Sequence, residues 1–121
     1  MLAQFRAVQI QNQRLQRQLV FGSGEVLLLM RQLLPPLAVL HGQELVHGDI
    51  NPRNLLRRDQ DCLPVLLDFG LLQRSGQQPL TAASPVFAPR AQVRRAPAAA
   101  WMDLHGLGVT ALTLLTGRPP A

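Results

Sequence analysis

The sequence predicts an α+β chain that is mainly α, and three observations predict it. Residues 24–41 and 101–116 are long and apolar on most sides, as buried helices are. Between them, "LV" (45–46), "NLL" (54–56) and "PVLLDF" (64–69) are short apolar runs parted by turn formers, the mark of short strands. Residues 71–100 then contain Pro79, Pro85, Pro89 and Pro97 and no clear period, which predicts a long, irregular, surface-lying segment.

Residues 1–20 are rich in Gln and allow two readings. Either "FRAVQI" is a short strand and "QRLQRQL" a helix with Leu15 and Leu19 on one face, or the whole stretch is helical. The glycines of "FGSGE" break the chain, and Ser23 is expected to cap a helix starting near Glu25. Pro35 and Pro36 interrupt that helix. Each interior proline removes a backbone hydrogen bond and crowds the preceding turn, at roughly 3 kcal/mol. The expectation is therefore a kink or break near residue 34 and a final turn running to His41. "RRDQDC" (57–62) is placed as a hairpin-like connection between the second and third strands. The last helix ends at Gly117, ahead of Pro119 and Pro120.

A chain of 121 residues is one domain or part of a larger one. With 47% hydrophobic and 16% charged residues, chain-wide disorder is excluded. All twelve basic residues are Arg, and there is no Lys and no Tyr. The net charge of +5 is scattered, with adjacent pairs only at Arg57–Arg58 and Arg94–Arg95 and no aromatics between them, so no nucleic-acid partner is expected. The single Cys62 excludes an internal disulfide and suits a reducing cytosol. His41, His47 and His105 lack metal-ligand spacing, so no zinc site is expected. No run of 18 apolar residues occurs, and no apolar segment follows basic residues at the N-terminus. Neither a membrane span nor a signal peptide is expected, and the location expected is cytoplasmic.

Asp49, Asn54 and Asp68 stand out as polar groups in otherwise apolar runs, beside Gly or Pro. Taken singly, each is an ordinary turn-capping residue. Taken together they supply what phosphoryl transfer requires. One carboxylate orients the attacking hydroxyl and accepts its proton, while another carboxylate and an amide hold magnesium on the phosphates.

"VHGDINPRNLL", "VLLDFG", "FAPRAQ" and "WMDLHGLGVTALTLLTG", in that order, resemble the C-terminal (large) lobe of a bacterial-type serine/threonine protein kinase. The resemblance covers about residues 24–117 and implies a partial large lobe over residues 23–121, truncated at both ends, with short β-hairpin strands around the catalytic loop. Within it lie the catalytic loop at 45–56, Asp-Phe-Gly at 68–70 and an activation segment at 68–91, with Ser75, Thr81 and Ser84 as hydroxyls open to phosphorylation. Residues 1–22 would then be at most a remnant of the hinge and the following helix. The resemblance implies Asp49 as catalytic base, Asn54 and Asp68 as magnesium ligands, and Asn51, Leu56 and Asp68 against ATP. It also implies structural support of the site from His47, Phe69, Gly70 and Asp103. The implied partners are ATP with Mg2+, a protein substrate presenting Ser or Thr, and a separate small-lobe chain.

Several positions depart from the family pattern. Gly48 stands where regulated kinases carry Arg, so no arginine there pairs with a phosphorylated activation loop. Asn51 replaces the loop lysine, and Ala91 replaces the glutamate that usually ends the activation segment. The Gly-rich loop is missing, and with no lysine anywhere its partner amine is missing too. Phosphotransfer below detection is expected for this chain alone. Two further readings stay open: a small-molecule phosphotransferase of the aminoglycoside or choline kinase type, whose loop reads His-Gly-Asp, and a non-catalytic interaction module.

Overall fold

The computed structural model describes residues 21–57, 63–66, 71–76 and 86–118. Helix α1 (Ser23–Gly42) leads into strand β1 (Leu45–Val46), a 3-10 turn (Pro52–Asn54) and strand β2 (Leu55–Arg57). Strands β3 (Pro64–Leu66) and β4 (Gln73–Arg74), a short helix α2 (Arg90–Val93) and the long helix α3 (Ala100–Thr116) follow.

Helix α1 starts two residues earlier than the capping pattern predicts. Gly22 takes the cap position, and its N–H donates to Glu25 Oε1 at 3.1 Å, so Ser23 lies inside the helix. The helix also runs unbroken through Pro35 and Pro36, against the expected kink. Two features outweigh the lost hydrogen bonds. Both prolines lie on the exposed side, while Val26, Leu29, Leu33 and Leu37 form a continuous buried stripe that extends on both sides of them. Each fully buried apolar side chain contributes about 1.5–3 kcal/mol, enough together to hold the turns in line.

That stripe packs against α3. Phe21, Val26, Leu29, Leu33 and Leu37 form one core cluster with Ile50, Leu55, Leu107, Ala111 and Leu114. The Phe21 N–H donates to Leu114 O at 2.9 Å, tying the entry of α1 to the far end of α3. Gly117 closes α3 with φ of 79°, its N–H donating to Thr113 O at 2.8 Å, in the place predicted from sequence. By length and composition alone, α1 is apolar enough to cross a membrane, with a mean hydropathy of 1.3 that a search for unbroken apolar runs overlooks. In this fold its buried stripe is a core face.

The strands make two antiparallel pairs. β2 and β3 align Leu55 with Leu66 and Arg57 with Pro64, the hairpin expected from the sequence. β1 pairs with β4, Leu45 opposite Arg74. The second pair corrects the view of residues 71–100 as irregular and surface-lying: the segment contributes β4 and α2, and Pro89, Gln92 and Ala98 are buried. Ala98 forms a second core cluster with Val46 and Met102, which Ala91 and Ala96 flank.

Candidate active site

The site is built on the first turn of α3. Asp103 is 1% exposed, and its carboxylate collects three donors. Oδ2 accepts from His47 N–H and from His41 Nε2, both at 2.8 Å, and Oδ1 accepts from Gly48 N–H at 2.9 Å. A buried carboxylate is stable only with such partners, and the same bonds fix the chain leading into Asp49. α3 also approaches the loop closely. A Cβ at Gly106 would lie 2.9 Å from Ile50 O, so only glycine permits this distance.

Gly48 has φ of 91°, a conformation side chains other than glycine's rarely adopt. Its carbonyl accepts from Gln92 Nε2 of α2 at 2.8 Å. One residue on, the Asp49 N–H donates to His47 Nδ1 at 3.1 Å, which places the proton of a neutral His47 ring on Nε2. The peptide between Gly48 and Asp49 is thus held at both its oxygen and its nitrogen.

Two amides bracket Asp49. Asn51 Nδ2 donates to Oδ1 at 2.9 Å, and Asn54 Nδ2 donates to Oδ2 at 3.1 Å and to the Asp49 carbonyl at 2.8 Å. Asn51 is 2% exposed, and its Oδ1 accepts from Arg53 N–H at 2.9 Å, capping the 3-10 turn that Pro52 opens. That turn carries Asn54 back beside Asp49. Because Nδ2 of Asn54 is committed to Asp49, its carbonyl Oδ1 is the atom suited to a hard cation.

Of the residues singled out from sequence, the structure thus brings together His47, Asp49, Asn51, Asn54 and Asp103. Leu56 lies in β2 opposite Val65. Asp68, Phe69 and Gly70 lie outside the described residues, as do Thr81 and Ser84. Ser75 is exposed, its backbone N–H donating to Glu44 O at 2.7 Å. Among the described residues no three His, Cys, Asp or Glu groups gather as a metal site. An apolar groove of about 550 Å³, lined by Leu33, Pro36, Val39, Leu40, Leu63 and Leu66 among others, shares none of the site residues.

Sequence reasoning missed three contributors. His41 was weighed only as a metal ligand, although a histidine in the last turn of a helix, six residues before His47, was the available signal. Gln92 ends the quoted "FAPRAQ" but had no role there. Gly106 is recognisable only once the loop is seen against α3.

Comparison with known proteins matches residues 3–121 to the model of the protein kinase domain. The chain belongs to the protein kinase domain family. This kinase chain is 36% identical over 122 residues to serine/threonine-protein kinase B of Synechocystis sp., covering 90% of itself and 21% of that protein. It is 40% identical over 109 residues to serine/threonine-protein kinase-like protein E of the same organism, covering 90% of itself and 15% of that protein. Against serine/threonine-protein kinase PknA of Nostoc sp. the identity is 32% over 117 residues, with 88% and 21% covered. The kinase chain therefore spans about a fifth or less of the length of these bacterial relatives. Its helices and few short strands among the described residues are compatible with a kinase large lobe.

Proposed function

We propose that this kinase chain carries the catalytic half of a site that transfers the γ-phosphoryl group of ATP to Ser or Thr hydroxyls of a protein. The observation that carries this reading is the Asp49 carboxylate, bracketed by Asn51 and Asn54 on a loop anchored to buried Asp103. Asp49 accepts the proton of the attacking hydroxyl, and the two amide donors hold its oxygens in place for that role. Asn54 Oδ1 and Asp68 would hold magnesium, which would neutralise charge on the phosphates. Asn51 carries a neutral amide where other kinases place an amine, so it orients Asp49 but adds no positive charge. The family resemblance further supports a role for Leu56 as the floor under the adenine, and the proposed location is the cytoplasm.

Since the 121 residues contain no lysine, they are proposed to transfer phosphate below detection unless a lysine-bearing small lobe is supplied. The test is thermal stabilisation by nucleotide. Stabilisation by millimolar ATP is expected only with magnesium, and Asp68→Ala is expected to abolish it. No stabilisation of the unaltered chain overturns the reading and leaves the interaction module. Phosphorylation of an aminoglycoside but not of a basic protein would favour the small-molecule phosphotransferase.

A further inference from the structure

We infer that Gln92 is a positioning residue, coupling the segment that ends at α2 to the proposed base Asp49. The inference rests on the reading of Asp49 given above. Gln92 is 2% exposed, and its Nε2 donates to Gly48 O at 2.8 Å across 44 residues of sequence. Gly48 O belongs to the peptide whose N–H is that of Asp49, so moving Gln92 rotates the backbone that aims the carboxylate. The opposite side of Gly48 is fixed, because its N–H is bound to Asp103 Oδ1 at 2.9 Å. A φ of 91° is one of several conformations open to glycine, and the two bonds select it at Gly48.

The segment Gln92 terminates is next to the chemistry. Phe87 and Ala88, a few residues before α2, line a cleft of about 10 Å³ together with Gly48, Asp49, Ile50, Gln92, Met102 and Gly106. The tie between the segment and the base is a hydrogen bond between neutral groups. It calls for no charge on either partner, and position 48 offers no arginine to receive a phosphate. Coupling is therefore built into the folded chain.

The test is residue-resolved amide hydrogen exchange on the 15N-labelled chain and on Gln92→Met and Gln92→Glu. The first keeps the volume and loses the donor, and the second sets an acceptor against the Gly48 carbonyl. Both are expected to speed exchange at the Gly48 and Asp49 amides about tenfold, leaving Leu107 and Leu114 in α3 unchanged. Unchanged exchange at Gly48 and Asp49 overturns the inference. So does uniform acceleration, or unfolding of both variants, since either makes Gln92 a core residue only. Magnesium-ATP titration of the unaltered chain separates the two claims. Failure to bind counts against the proposed function, and the exchange result decides Gln92 by itself.

Discussion

At Gly48 a single residue decides whether the loop closes. Its φ of 91° is open to glycine and costly to any L side chain, and both its N–H and its carbonyl are already committed to Asp103 and Gln92. Gly48→Ala is expected to cost about 1–2 kcal/mol in urea unfolding, from backbone strain. Gly48→Arg, the residue common in regulated kinases, is expected to cost at least as much. A variant as stable as the original would show that the positive φ imposes no strain. The same residues mark what the sequence can and cannot reveal. Asp49 and Asn54 were legible, because their spacing on a short turn is local. His41 and Gln92 were not, because their bonds to Asp103 and Gly48 span 62 and 44 residues and leave no period to read.

Among the elements, the two long helices and the β2–β3 hairpin were legible because each is set by neighbouring residues: apolar stretches for α1 and α3, Gly117 at the end of α3, and turn formers between the strands. The continuity of α1 and the pairing of β4 with β1 were not, because tertiary packing decides both. Helix α3 does more than fill the core. Its Gly106 lets the helix backbone reach Ile50, and the missing Cβ is what brings Asp103 within bonding distance of His47 and Gly48. A methyl group there meets a backbone oxygen at 2.9 Å and a side-chain carbon at 3.1 Å, and the oxygen cannot swing aside. Gly106→Ala is expected to destabilise by about 1–3 kcal/mol despite alanine's better helix propensity. Amides 47–49 are expected to lose protection from exchange before those of the α1 core. Stabilisation by the methyl group would mean that α3 and the loop part without cost.

For the molecule as a whole, the balance between buried and exposed apolar surface governs behaviour in solution. Helices α1 and α3 bury one stripe each and leave Leu27 58%, Leu28 53%, Leu112 57% and Leu115 39% exposed. The Phe21–Leu114 hydrogen bond brings the N-terminal end of α1 beside the C-terminal end of α3, so these leucines crowd one end of the helix pair. Apolar side chains gathered in this way favour association, and a net charge of +5 over 121 residues opposes it only weakly once salt screens it. Self-association of the isolated chain is therefore expected to rise with protein concentration and to persist in high salt, where a charge-driven contact would weaken. Leu27→Glu with Leu112→Glu is expected to shift sedimentation velocity toward the monomer at little cost in stability, because neither side chain belongs to the buried cluster. Unchanged association in the double variant would place the contact elsewhere on the molecule.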